Sequence, residues 1–327
     1  MTGNRDFKCY WCEASQCRRI ATADAKTRES LNVMQCERCG LVQQYPLPAE
    51  QALRQYYSHN YRLDYKKAYV PRPRHILRAG KVALDRLAFL RSAGIDGGQL
   101  TDIGAGGGEF VFLAGQSGHA AHGLEPNLGY SEFARSAYQA DVQTGGVTDL
   151  IPASQDVVTM FHVLEHIADP AGALEVIWRG LHEGGHLFVE VPNIAAADAS
   201  PHNIYFKAHL FYFSLDTLRS IASPWFDVVN SDDVGNIRVV LRRRPTPVPR
   251  RLPDAASVAN ALHRVSSKGW IEYLTTGRGW RKPIERLRRQ ADERRVANMV
   301  PRKILASLLY PEAPTGKTLA TRRERKA

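Results

Sequence analysis

The sequence predicts a doubly wound α/β fold: a mostly parallel, seven-stranded sheet with a small cysteine-marked module before it and a basic helical extension after it. Three observations carry this. Residues 96–244 alternate short apolar runs with helix-like stretches, the pattern of a parallel sheet covered by helices. The run Leu100–Ile103 ends in a glycine loop, Gly104-Ala105-Gly106-Gly107-Gly108. Two cysteine pairs, Cys9/Cys12 and Cys36/Cys39, stand 23 residues apart near the N-terminus.

Taken in order, residues 1–48 hold the cysteine pairs and end in the breaker cluster Tyr45-Pro46-Leu47-Pro48. Residues 49–95 read as a helical connector, or acceptor cap, rich in tyrosine (Tyr56, Tyr57, Tyr61, Tyr65, Tyr69). Ile76, Leu77, Val82, Leu84, Leu87 and Leu90 recur there at roughly helical spacing. Within 96–244 the expected strands are Leu100–Ile103, His119–Leu124 ending at Glu125, Asp141–Thr144, Asp156–Phe161 and His186–Val191, with Phe226–Val229 and Ile237–Arg242 as a closing pair. Residues 245–327 open on Pro245, Pro247, Pro249 and Pro253, a stiff linker signal. They continue as Arg-rich, mostly helical sequence, with Thr315–Ala327 expected to be disordered.

Composition narrows the class. The chain has 327 residues, 44% of them hydrophobic and 24% charged, which is ordinary for a globular protein. No apolar run reaches the roughly 18 residues of a membrane-spanning helix, and the first residues lack an apolar signal core. A cytoplasmic location is the default expectation, and there five cysteines point to metal or free thiol rather than disulfides. The net charge of +11 is unevenly spread: residues 242–327 carry 22 Lys/Arg against 7 Asp/Glu, and residues 1–241 carry 22 against 26. A basic tail of this kind attracts phosphates or an anionic surface, although a solvated helical face has the same composition.

The glycine loop, preceded by Asp102, is the most informative segment. Glycines let the chain turn sharply and let a ligand approach the backbone. A dinucleotide site would want glycine at position 109, where Glu109 stands, and an acid at a helix N-terminus repels a pyrophosphate. About 17 residues beyond Gly108 comes Glu125-Pro126, an acid at a strand end that can accept from both ribose hydroxyls. Loop and acid together suit a nucleoside with a zwitterionic amino-acid tail.

On these residues, with Gln155–Pro170 and Gly184–Asn193, the region 96–244 resembles the class I S-adenosylmethionine-dependent methyltransferases, which share a Rossmann-like fold. The resemblance implies that Asp102, Gly104, Ala105, Gly106, Gly108 and Phe110 flank the methionine moiety and that Glu125 and Pro126 bind the ribose. Val147, Phe161 and His162 would border the adenine and the sulfonium.

The cysteine spacing fits four thiolates around a structural zinc, with Cys9, Cys12, Cys36 and Cys39 as ligands. Cys17 is left over. A ribbon followed by this core is similar to methyltransferases of bacterial antibiotic-sugar and polysaccharide clusters, including sugar C-methyltransferases. The resemblance implies a small-molecule or glycan acceptor with a hydroxyl or carbon nucleophile.

Methyl transfer to such a nucleophile needs a base. Two clusters offer one: His162, Glu165 and His166 after the fourth strand, and His209 in Phe206–Ser214. His209 matches the catalytic histidine of the sugar C-methyltransferases, and Ala208 replaces the acid beside it. The first cluster also admits a divalent metal, as in some quinone O-methyltransferases, or a plain capping role. Tyr61, Tyr65 and His202 are candidates for the acceptor pocket. The basic tail suggests a phosphate-bearing or membrane-linked acceptor. The alternative is an RNA methyltransferase gripping phosphates with ribbon and tail; Phe161–His166 lacks the Asn/Asp-Pro-Pro-aromatic element usual in base N-methylation. A non-catalytic scaffold is the third reading.

Overall fold

The computed structural model describes residues 6–48 and 71–309, so Tyr56–Tyr69 and Thr315–Ala327 lie outside the described residues. Strands β1 (Cys17–Ala23), β2 (Ser30–Cys36) and β3 (Val42–Gln44) form an antiparallel N-terminal sheet. Helix α1 (Pro73–Ser92) leads into the core. There β4 (Gly98–Ile103), α2 (Glu109–Gln116), β5 (His119–Glu125), α3 (Leu128–Tyr138), β6 (Val142–Thr144), β7 (Gln155–Phe161), α4 (Pro170–Gly180) and β8 (Leu181–Pro192) alternate. After β9 (Phe211–Tyr212) and α5 (Leu215–Ala222), the hairpin β10 (Phe226–Asp232) and β11 (Asn236–Arg243) closes the sheet. Helices α6 (Ala255–Ser266), α7 (Trp270–Leu274), α8 (Lys282–Arg295) and α9 (Pro301–Leu309) complete the described chain.

The core sheet runs β10-β11-β8-β7-β4-β5-β6, with β11 antiparallel to both neighbours and the other pairings parallel. The chain builds outward from β4 to β6, then crosses back to β7 on the other side of β4. That reversal opens a crevice at the carboxyl ends of β4 and β7, where ligands bind in such sheets. This is the Rossmann-like arrangement that the sequence predicts. No described helix is long and apolar enough to cross a membrane.

Local chemistry explains the elements. In α1, Pro73 opens the first turn and Ile76, Leu77, Gly80, Ala83, Leu87 and Leu90 form the buried stripe. Val82, expected in that stripe, is 43% exposed. The strands β4, β7 and β8 carry continuously buried stretches because both faces are covered, and in β4 that stretch includes Thr101 and Asp102. Three departures from the sequence reading stand out. The third core strand starts at Val142 rather than Asp141. Strand β8 begins at Leu181, five residues before His186, and runs through Gly184 and Gly185; a Cβ on Gly185 would lie 3.1 Å from the Asp156 carbonyl oxygen, so the strand passes there because no side chain is present. And β9 was not expected: it pairs with β3, making the N-terminal sheet four-stranded with a strand lent by the core.

Candidate functional site

The glycine loop sits between β4 and α2. Gly104, Gly106 and Gly108 all have positive φ, at +74°, +58° and +83°. A Cβ on Gly108 would stand 2.6 Å from the Ala134 Cβ, so α3 and the loop fit only because the side chain is missing. Across the loop, Glu125 at the end of β5 is 3% exposed. Its Oε2 accepts from the Gly106 N–H at 2.8 Å and its Oε1 from the Asn127 N–H at 3.0 Å. Loop and strand-tip carboxylate thus face each other directly. Phe110, on the first turn of α2, packs edge-on against Phe161 at 4.8 Å between ring centroids. Ala105 lies within the loop, Pro126 follows Glu125 as an exposed residue, and Val147 opens a single 3₁₀ turn after β6.

Asp102 is buried beneath the loop, where Thr159 Oγ1 donates to its Oδ1 at 2.7 Å. Burial raises its carboxyl to about 7, only partly offset by the Thr159 hydrogen bond and the Arg86 charge.

His162, just past β7, has φ +56°, an unusual conformation for a residue with a side chain. Its backbone N–H donates to the Glu190 carbonyl at 2.8 Å, and its Nε2 lies 3.0 Å from Glu190 Oε1. Burial pushes the imidazole down, but hydrogen bonding and charge from Glu165 and Glu190 hold it up at about 9. It is therefore a cation at neutral pH. Arg86 of α1 grips Glu190 bidentately, with both N–O distances 2.9 Å, and lies 4.0 Å over the Phe161 ring. Neither Arg86 nor Glu190 stood out in the sequence. Each is one charged residue in a helix or a strand, and only the parallel pairing Phe161↔Glu190 brings the carboxylate to His162.

Glu165, His166 and His209 converge on the same side. Glu165 is 1% exposed, and neither of its oxygens has a hydrogen-bond partner among the described residues. Its Oε1 is 3.6 Å from His162 Nδ1 and 3.9 Å from His166 Nε2. His166 Nδ1 lies 2.7 Å from the Ala208 carbonyl oxygen, which places the proton on Nδ1 and turns Nε2 inward. The His166 and His209 rings meet edge-on at 4.8 Å. Burial, then the His166 charge, lowers His209 to about 4, so it is neutral at neutral pH. One ligand atom from each of Glu165, His166 and His209 lies within 4.8 Å of the others. His202, by contrast, packs against Trp270 at 5.3 Å. Tyr61 and Tyr65 lie outside the described residues.

In the ribbon, Cys9 Sγ lies 3.6 Å from Cys39 Sγ, and Cys12 Sγ lies 3.5 Å from Cys36 Sγ. All four thiols are buried and lie within 4.8 Å of one another. Four sulfurs at the usual zinc–sulfur distance stand roughly 3.8 Å apart, so this set fits a tetrahedral zinc. After the second cysteine of each pair the chain turns through a left-handed residue, Glu13 or Gly40.

Comparison with known proteins gives this geometry a family. A model described as a methyltransferase domain matches residues 74–223. Over these residues the chain is similar to that family. It is 29% identical over 118 residues to a ubiquinone biosynthesis O-methyltransferase of Klebsiella pneumoniae, covering 33% of this chain and 49% of the relative. Its identity to the Xylella fastidiosa protein of the same name is 33% over 132 residues, covering 37% and 51%. The chain thus spans about half the length of these relatives. Among solved structures, magnesium protoporphyrin IX methyltransferase from Synechocystis with bound S-adenosylhomocysteine is similar at 16% identity and a TM-score of 0.44, covering 60% of this chain and 100% of that one. The match to a methyltransferase from Mesorhizobium loti has 15% identity and a TM-score of 0.42, covering 48% and 96%.

Proposed function

We propose that this protein transfers a methyl group from S-adenosylmethionine to a hydroxyl of a small molecule, a sugar or a related acceptor. The observation that carries the reading is the Glu125 carboxylate held against the Gly106 N–H, at the sheet's switch point. A carboxylate there can take the ribose hydroxyls while the positive-φ glycines leave room for the amino-acid tail. The names of the curated relatives favour oxygen as the nucleophile.

The acceptor oxygen attacks the sulfonium methyl in line. The carbon–sulfur bond breaks with its electron pair passing to sulfur, and the acceptor proton goes to His209. His162, charged and held between Glu165 and Glu190, orients the pocket floor and is not the base. The ribbon thiolates hold one structural zinc. Binding of S-adenosylmethionine by the purified chain, measured calorimetrically, tests the core of this reading: Glu125→Ala should weaken binding at least tenfold. Failure of the wild-type chain to bind would end it. Retention of RNA in a salt-dependent shift assay would instead favour the nucleic-acid acceptor.

A second reading concerns the base. Glu165 is buried with both oxygens unsatisfied beside two histidine nitrogens, a donor set that suits a divalent cation. The Ala208 carbonyl on His166 Nδ1 is the outer contact such a ligand uses to fix its ring. A cation there would supply Lewis acidity to an acceptor hydroxyl. Metal analysis distinguishes the readings: two metal equivalents in the wild type and one in Glu165→Gln support it, and one in both refutes it.

A further inference from the structure

We infer that the four-cysteine ribbon holds the segment that carries His209, and that Gln44 is the positioning residue through which it does so. The inference rests on the acceptor-side assignment of His209 proposed above, but its geometry is independent of any chemistry.

The segment 204–210 carries His209 and has little regular structure of its own. The ribbon grips it at three places. Gln44, last residue of β3 and 5% exposed, directs its side-chain amide into the turn. Its Nε2 lies 2.7 Å from the His209 carbonyl oxygen, 2.9 Å from that of Lys207 and 3.2 Å from that of Phe206. Its backbone N–H donates to Leu210 at 2.8 Å. On the β1–β2 hairpin, fully buried Asp24 accepts the Lys207 N–H at 2.5 Å, and the Ala25 N–H donates to Tyr205 at 2.7 Å. The core holds the other side, where the Leu210 N–H donates to the Glu165 carbonyl at 2.8 Å and His166 Nδ1 meets Ala208.

One buried amide serves three carbonyls; that of Phe206 also accepts from the Tyr212 hydroxyl at 2.9 Å and the His209 N–H at 3.0 Å, whereas among the described residues those of Lys207 and His209 rely on Gln44. A loop carbonyl left without a donor in a water-poor setting loses the net worth of its hydrogen bond and bears its desolvation as well. The same strand that presents Gln44 pairs with β2, whose last residue is the metal-site cysteine Cys36. Ribbon integrity and His209 placement are thus joined through β3 and the β1–β2 hairpin, whereas the glycine loop and Glu125 are held by the core.

Hydrogen–deuterium exchange on the full, zinc-loaded chain tests this. Gln44→Met keeps the length of the side chain and removes its donor. The expected result is exchange at least tenfold faster across 204–212, with exchange across 100–125, the affinity for S-adenosylmethionine and the zinc content each within twofold of wild type. Asp24→Asn, measured in parallel, weakens the charged acceptor of the Lys207 N–H and should speed the same segment at least threefold, so a misfolded Gln44 variant does not leave the question open. Unchanged exchange across 204–212 in the folded variants overturns the inference. So does acceleration spread equally over the glycine loop, which would mark Gln44 as a general stability residue. Because no readout is methyl transfer, failure of the proposed function is registered separately, by the absence of S-adenosylmethionine binding in the wild type.

Discussion

At the scale of single residues, the site is governed by which carboxylates are paired. Asp102 is buried with one hydroxyl partner, and its carboxyl is raised to about 7 from an ordinary 3.8. In the ligand-free protein the folded state therefore holds a proton between about pH 4 and 7 that the unfolded chain has released. The raised group makes stability fall as pH rises through that window. A cationic ligand near Asp102 favours the ionised form. Going from pH 6 to pH 8 should tighten S-adenosylmethionine binding up to about tenfold more in the wild type than in Asp102→Asn, the variant cancelling titration of the ligand itself. Equal pH dependence in both proteins would remove Asp102 from the site. Glu190 is the opposite case: burial raises its carboxyl, but His162 and Arg86 outweigh it and hold it well below the usual range. Arg86→Met leaves that buried carboxylate without its bidentate partner and should cost about 3 kcal/mol of stability in denaturant titration. The residue Glu125 was legible from its place at a strand end. Glu190 and Arg86 were not, because neither sequence spacing nor residue type distinguishes them from surface charges until β7 and β8 pair.

At the scale of elements, the glycine loop is the least replaceable part. Gly108 combines a φ of +83° with a Cβ position 2.6 Å from Ala134. Gly108→Ala should destabilise the chain by about 1–3 kcal/mol through backbone strain alone. It should also weaken S-adenosylmethionine binding, since α3 must move away from the loop. Retention of both the melting temperature and the affinity would contradict the close packing. The expected core strands exist, with ends shifted by up to five residues, because β7 and the second half of β8 are written as nearly continuous apolar runs. The two-residue β9 leaves no signal in the sequence, for a physical reason. Its strand character comes from pairing with β3, about 170 residues earlier, and not from its own length or pattern.

At the scale of the whole molecule, the basic tail is not a detachable arm. Ile304 and Leu305 of α9 are fully buried, and a Cβ on Gly80 would lie 2.5 Å from Leu308 Cδ1, so α9 lies close against α1. Val258 and Ala261 of α6 are buried, and Ala261 lies against Gly40 of the ribbon. Deleting residues 246–327 would therefore expose core on both the methyltransferase and ribbon sides, and charge reversal is the cleaner probe. An open groove of about 870 Å³ lies between α1 and α8, lined by Arg72, Arg74, Arg78, Arg286, Arg289 and Arg294, with Glu293 paired to Arg78. Arg286→Glu with Arg289→Glu should lower retention on a polyanion column and flatten its salt dependence while leaving S-adenosylmethionine affinity within twofold. Unchanged retention would return these arginines to a solvated face.

The sequence by itself determined the alternation of strands and helices, the glycine turn with its following acid, and the two thiol pairs. Each of these is a local demand: side-chain periodicity follows from backbone geometry, positive φ asks for glycine, and a metal knuckle needs two sulfurs on one turn. Only the tertiary structure decided that Glu190 and Arg86 reach His162, that Glu165, His166 and His209 share one corner, and that the ribbon closes over it through β3 and β9. Those are contacts between residues up to 183 positions apart, Asp24 and Lys207, with Ala25 and Tyr205 beside them at the 2.7 Å bond that ties hairpin to loop. Nothing in local propensity encodes such a distance, because it is set by which faces must be buried together.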